Sequence, residues 1–433
     1  MKTFCDTAST AVSKLKSAGI DAECYVCNND TTEITIDNSD FSLIRTYEKC
    51  QLTLTGYKDG RMLSSTVSNP DRDSVNDAVE SIKRGIATAN KDELYCVNPI
   101  AEHRSFTRNA QGCDYDAFFK RLHEYTDWYM DENDGKQLDE FIANYTRKKT
   151  VYINSNGAEL TGDQAYYNLG GTISGLYAAD LSRPLQKLGY FALPYDRNML
   201  NEKPRPIGDK FVGTLIYTPR GVRHEWWHAL CFFHTKEMLA GDMAKSYRWN
   251  DKIGKQVAVP ELNVANTPCD VEFSGAPFFS CEGVIASDLD IIVNGKLVNY
   301  PASRYTAAKL GIAPNMPPAE EQNVDDNVLK LNVNIKPGAN SIVDIIKNVE
   351  RGIIVTSGMP GWVPAGDPDG AINSIVRDAL LIEDGVITRP VSEIMIAGNY
   401  YDKFMNIRGI SKELRLSGGD RTPWIAYDGF TIQ

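Results

Sequence analysis

The stretch EKCQLTLTGYKDGRMLSSTV, residues 48–67, decides the fold class. A strand-like run ends at Asp59-Gly60 and returns as RMLSSTV, and an Asp-Gly pair between two such runs is a strong two-residue hairpin signal. Working back from it, FSLIRTY, TTEITIDN and DAECYVC each read as a strand, and MKTFCDTASTAVSKLKSAGI reads as an amphipathic helix. Working forward, a helix is expected to open near NPDRDS, with Val75, Val79, Ile82 and Ile86 along one side. Successive strands with a helix at each end predict an antiparallel sheet covered on one face, an α+β arrangement and not a doubly wound one.

The same pattern continues. DYDAFFKRLHEYTDWYMD (114–131) predicts a helix with Phe118, Leu122 and Tyr125 near one side and His123 on its surface. LDEFIANYTRKK, TVYINSNGAEL and AYYNLGGTISGLY read as strands. The Pro- and charge-rich segment 194–210 is placed as the main boundary, between an N-terminal α+β region (1–200, with a sub-boundary near 100) and a C-terminal region (205–433). That second region reads as mostly antiparallel β with one long helix. It has hairpins at Asn294-Gly295 and Asp384-Gly385, short helices in SIVDIIKNVERG and at 400–407, and an exposed loop at 314–327.

Composition narrows the function classes. The 42% hydrophobic and 24% charged residues are those of a globular protein. A net charge of −11 argues against broad binding to nucleic acid or anionic membrane. The nearest basic cluster, Arg147, Lys148 and Lys149, reads as a solvated strand end. No run approaches the ~18 apolar residues of a membrane span, and the opening residues lack the apolar core of a signal peptide. Nine scattered cysteines form no disulfide framework, so a reducing cytoplasm is expected. Cys24 and Cys27 spell CYVC, but on a strand positions three apart face opposite ways, which suits neither a disulfide nor a shared metal.

The chemistry is concentrated in HEWWHALCFFH, residues 224–234, which holds three of five histidines. Thr218 suits an N-cap and Pro219 the first turn of a helix running through it. His224 and His228 would then lie one turn apart and could share Zn²⁺, with Glu225 as general base. His234 is the weak point. In the spacing H-E-x-x-H-x-x-G-x-x-H a glycine ends the helix in a left-handed turn; here Cys231 stands in its place, and FFHTKEMLA contains no terminator. A continuing helix carries His234 ~15 Å beyond His224 and ~80° round the axis, out of reach of a zinc ion bonded at ~2 Å. Trp226, Trp227, Leu230, Phe232 and Phe233 surround the segment with apolar bulk. The histidines are therefore read as groups hydrogen-bonded within a packed helix, with no catalytic, cofactor-binding or metal-binding residue assigned. A zinc site of His224, His228 and Glu225, completed by His234 or an unpredicted ligand, is the alternative.

Several C-terminal fragments occur in a familiar order: LAGD (239–242), GKQVAVPEL (254–262), CEGV (281–284), YTAAKLG (305–311), NVNIKPG (332–338), RGIIVTSGMPGW (351–362), LLIEDGVITRPVSEIMIAGN (380–399) and the terminal PWIAYDGFTIQ. Together they resemble the TldD/PmbA family, also called modulators of DNA gyrase, and within it the PmbA (TldE) branch. The N-terminal half agrees more loosely, through its helix–sheet–helix order, DGR at 59–61 and NSNG at 154–157.

In that family the TldD-type subunit is a zinc peptidase with His-Glu-x-x-x-His just before a Gly-Asp pair, plus a late cysteine ligand. By the register of Gly241-Asp242 the motif would fall on Phe232 to Glu237, where FFHTKE lacks the ligand histidines, and no cysteine follows Cys281. The resemblance thus implies a cytoplasmic, non-catalytic subunit of a peptide-cleaving complex. Its expected partners are a TldD-like metallopeptidase subunit, a second copy of itself, or both, together with peptide substrate. The alternatives are a zinc peptidase in its own right and a non-enzymatic protein touching DNA gyrase.

Overall fold

A computed structural model of the chain describes residues 1–132, 140–171, 176–178, 193, 199, 202–223, 252–273, 275–315, 332–355, 371–399, 401–417 and 419–433. Two compact units emerge. Unit 1 comprises Met1–Leu185, Pro268–Ser287 and Ala302–Lys330; unit 2 comprises Gln186–Thr267, Asp288–Pro301 and Leu331–Gln433. Sequence pattern suggested one division at 194–210; in the structure unit 2 starts at Gln186 and the chain returns twice to unit 1.

In unit 1, α1 (Lys2–Ser17) leads into the long strands β1 (Asp21–Asp37) and β2 (Asp40–Lys58), then β3 (Arg61–Ser68) and α2 (Arg72–Gly85). The Asp59-Gly60 hairpin forms as expected, both residues at positive φ (52° and 72°). Asp71 caps α2 in a reciprocal pair with Ser74. DAECYVC and TTEITIDN, read as two strands, are one. Asn28-Asn29-Asp30 looks like turn chemistry, yet it is paired on one side to β2 and on the other to β5 (Glu140–Asn154), and the ladder overrides the local preference. The actual turn lies at Asn38 and Ser39, again at positive φ.

The sheet continues through β5 and β6 (Glu159–Gly171), with β7 (Leu176–Ala178) beside the end of β6. The strand β4 (His103–Arg108), absent from the sequence reading, lies parallel to β6. Helices α3 (Tyr115–Glu132) and α4 (Arg304–Leu310) complete unit 1.

Even-numbered residues of β1 face helices. Cys24 and Val26 pack with Ala8, Leu15, Val79 and Ile82 of α1 and α2, while Ile34 and Ile36 pack with Phe118, Leu122 and Tyr125 of α3. The expectation of one covered face is corrected here: Tyr25 and Cys27, on the opposite face, are buried against Tyr152, Leu160 and Phe279. Cys24 and Cys27 do point to opposite sides. Arg147–Lys149 is also not a strand end. It sits mid-β5, Arg147 forks onto Asp163 at 2.9 and 3.0 Å, and Lys148 is buried.

Unit 2 is built on ten strands: β8 (Phe211–Tyr217), β9 (Val264–Asn266), β10 (Leu289–Val293), β11 (Lys296–Leu297), β12 (Val333–Ile335), β13 (Arg351–Val355), β14 (Ala371–Glu383), β15 (Val386–Asn399), β16 (Ile407–Ser417) and β17 (Asp420–Ile432). β8 pairs with both β13 and β17, so the path β17-β15-β14-β13-β8 closes on itself. Ile216, Ile354, Leu380, Ile382, Trp424 and Ala426 pack here against Ile342, Ile345 and Ile346 of α5 (Ile342–Lys347). The short helix α6 (Asp402–Met405) precedes β16. Both expected hairpins are present, with Asn294 and Gly295 at φ 49° and 72° and Asp384 and Gly385 at 48° and 77°.

Candidate functional site

The histidine-bearing segment begins as its sequence predicts. After β8 the chain turns helical at Pro219, and Thr218 caps it: its Oγ1 accepts from Gly221 N–H at 3.3 Å and its carbonyl from Val222 N–H at 2.9 Å. Thr422 Oγ1 donates to the Pro219 carbonyl at 2.9 Å, and Arg223 donates to Asp420. These contacts tie the helix start to β17. His224, Glu225, His228, Cys231 and His234 lie outside the described residues, as does Gly241-Asp242.

The described residues offer no home for a catalytic zinc. Among them no three His, Cys, Asp or Glu side chains converge as a ligand set. His103 on β4 and His123 on α3 are exposed, the latter meeting the Phe41 ring edge-on at 4.7 Å. Cys281 sits beside carboxylates, but burial and then Glu282 and Glu23 push its thiol well up, the opposite of what a metal-binding thiolate needs.

What the described residues do assemble is a buried charged cluster on the face of the unit 1 sheet away from α1 and α2. Glu23 of β1 stands at its centre, 4% exposed. Its carboxylate accepts from Tyr57 of β2, from Tyr152 of β5 at 2.9 Å, from Asn98 N–H at 3.4 Å, and from Arg304 Nη1 at 2.9 and 3.3 Å. Arg304, at the start of α4, also donates to the Glu282 and Cys96 carbonyls. Burial and the neighbouring Glu23 carboxylate hold both tyrosine hydroxyls far above their ordinary range, so they stay protonated as donors.

The loops are fastened by amides. Asn154 Nδ2 donates to the carbonyls of Asn98 (2.9 Å) and Ile100 (3.0 Å), while its Oδ1 accepts from Asn156 and Ala158 N–H. Asn98 in turn reaches the Glu282 carbonyl at 2.7 Å. Gly283, at φ 72°, passes so close to the Tyr152 ring that a Cβ would lie 2.4 Å from it.

Chemically this is a clamp. Glu23 has its acceptor sites filled by donors that do not leave, so it is in no position to take a substrate proton. The sequence reading missed it because Glu23 and Arg304 stand 281 residues apart. The only signal lay in the fragments themselves: NSNG, CEGV and the arginine just before YTAAKLG meet here.

Comparison with known proteins follows the same lines. Residues 229–433 match the PmbA/TldA metallopeptidase C-terminal domain. Over that stretch the chain is similar to the TldD/PmbA family. It is similar to a metalloprotease of Methanothermobacter thermautotrophicus (27% identity over 169 residues, covering 39% of this chain and 36% of that protein). It is also similar to the metalloprotease PmbA of Escherichia coli O157:H7 (28% over 185 residues, 42% and 38%). The matched stretches thus span little more than a third of the length of these relatives. In fold it resembles the crystal structure of TldE from Thermococcus kodakarensis, with a TM-score of 0.79 at 17% identity, covering 98% of this chain and 99% of that one.

Proposed function

We propose that this chain is a non-catalytic, PmbA/TldE-like subunit of a TldD/PmbA-type metallopeptidase acting on peptides or unfolded segments. One observation carries the reading. In the register set by Gly241-Asp242, the positions of the family's zinc motif are occupied by FFHTKE, and no cysteine follows Cys281 to supply the late ligand. The match of residues 229–433 to the PmbA/TldA C-terminal domain supports the family, and the likeness to a TldE fold favours this branch. A TldD-like subunit would supply the metal and the cleavage step. A reducing cytoplasm suits the eight described cysteines, none of which is in a disulfide.

The HEWWH spacing favours a second reading, a zinc peptidase using His224, His228 and Glu225. Peptide hydrolysis separates the two. The purified chain is expected to leave an unfolded peptide intact and to co-purify with a TldD-like protein in an active complex. Cleavage by the chain alone, abolished in Glu225→Gln, would refute the proposal. DNA gyrase has no feature of this chain in its favour as a partner; an empty gyrase pull-down alongside a recovered TldD-like protein is expected.

A further inference from the structure

The tip of the β2–β3 hairpin and the C-terminal ends of α1 and α2 enclose a half-open cavity of about 340 Å³. All of these elements belong to unit 1. The floor is aliphatic: Ile20, just past α1, and Ile86, just past α2, are each 3% exposed, and Ala87 lies beside them. The rim is basic. Lys58 and Arg61 flank the hairpin turn, and Lys83 comes from the last turn of α2. Asp59 is the single acid lining the cavity, so three cations against one carboxylate leave a net +2, in a chain whose total is −11.

Structural duties do not use up this charge. Cations near helix C-termini commonly serve the last carbonyls, but here other donors hold them. The Leu15 and Lys16 carbonyls accept from Ala18, Gly19 and Ile20 N–H at 2.9 to 3.1 Å. Past α2, Ile86 N–H serves the Ile82 carbonyl and Thr88 Oγ1 that of Gly85. Arg61 gives one nitrogen to the Ala89 carbonyl and meets no carboxylate among the described residues. Lys58 has neither a hydrogen-bond nor an ion-pair partner among them. Lys83 is paired with Glu80 at 2.9 Å, a side chain 57% exposed.

The lining selects its occupant. We infer that this cavity binds a singly charged carboxylate carrying a short aliphatic group, the chemistry shared by the C-terminal residue of a peptide and a free acylated amino acid. The carboxylate takes the remaining edge of the Arg61 fork and the Lys58 ammonium, while the hydrocarbon covers Ile20 and Ile86. Phosphate suits the site poorly. Its second negative charge meets Asp59 and the carbonyl ends of two helices, whereas phosphate sites use helix N-termini. No aromatic ring among the described lining residues offers a base a stacking platform. The volume lies at the small end of ligand pockets, enough for one residue-sized group.

Methyl NMR of the full chain, labelled at isoleucine, tests this with N-acetyl-L-leucine as the probe. The Ile20 and Ile86 resonances are expected to shift saturably, with a millimolar Kd. N-acetyl-L-leucinamide, the same shape without the charge, should bind at least about tenfold more weakly. Inorganic phosphate should give no saturable shift. Lys58→Gln, which breaks no bond within the protein, should raise Kd about two- to fivefold, the range of an exposed ion pair. Ala87→Phe should fill the cavity and abolish binding. A short peptide ending in leucine separates the two sources: binding at least as tight as the probe's assigns the cavity to peptide ends, and exclusion assigns it to free acids. Failure to saturate at high millimolar acid overturns the inference. So does equal affinity for acid and amide, phosphate that binds as tightly as the acid, or a Kd unmoved by either substitution. Should Ala87→Phe misfold, Lys58→Gln and the amide decide. None of these readouts involves cleavage, so the pocket stands or falls independently of a TldD-like partner.

Discussion

At the scale of single residues, the feature that explains most is one guanidinium held on a buried carboxylate. Glu23 is compensated by Arg304 and three further donors, so removing the cation strands a buried negative charge. Arg304→Met should destabilise the fold by about 3–5 kcal/mol in urea melts. Arg304→Lys, which keeps charge without the fork, should fall between it and the parent.

Glu282 gives the pH dependence. Burial pushes its carboxyl above the ordinary 4.5, with Arg304 opposing and Glu23 reinforcing. The folded state then binds this proton more tightly than the unfolded chain, so stability declines as pH rises from about 4.5 through the folded pKa. Glu282→Gln, which does not titrate, should match the parent in acid and gain on it as pH climbs. Parallel Tm curves from pH ~4 to ~8 would contradict this sign. None of this was legible from spacing, because a carboxylate and an arginine far apart in sequence carry no mutual signal until the chain has folded.

At the scale of elements, legibility followed local chemistry. Asp59-Gly60, Asn294-Gly295 and Asp384-Gly385 formed the expected hairpins because their left-handed backbone is set within two residues. Thr218-Pro219 marked a helix start for the same reason. Failures came where neighbours decided. Asn28-Asn29-Asp30 and Arg147–Lys149 look like breaks or ends, but each is held mid-strand by ladders on both sides. Strand β4 lacks an apolar run because its burial is slight, and its pairing with β6 is what defines it. Thr218→Ala tests the cap directly: about 1 kcal/mol of stability should be lost, together with helical content by far-UV circular dichroism. An unchanged melt would mean that the Thr422 and Arg223 contacts alone hold the helix start.

At the scale of the whole molecule, the layout departs from linear reading. CEGV and YTAAKLG belong by sequence to the C-terminal half, yet they fold into unit 1. Without the returning segments that carry them, Pro268–Ser287 and Ala302–Lys330, Tyr25, Tyr152 and Leu160 lose Phe279 as a partner, and Glu23 loses Arg304. A fragment ending near residue 205 is therefore expected to collapse without fixed packing, retaining far-UV but not near-UV circular dichroism. A sharply melting fragment with a dispersed NMR spectrum would show the clamp to be dispensable. Sequence pattern could not foresee this, since a boundary marked by Pro and charge at 194–210 reports where the chain is exposed, not where it returns.

The separation between the two ends of the Glu23–Arg304 pair also sets a clock. A ribosome adds roughly 5–20 residues per second, so the 281 residues between them take on the order of tens of seconds to make. Throughout that interval the nascent sheet carries an acid on its bare face with no counter-ion. Until the arginine leaves the exit tunnel, Glu23 and the apolar face around it lack the partners that bury them in the folded unit.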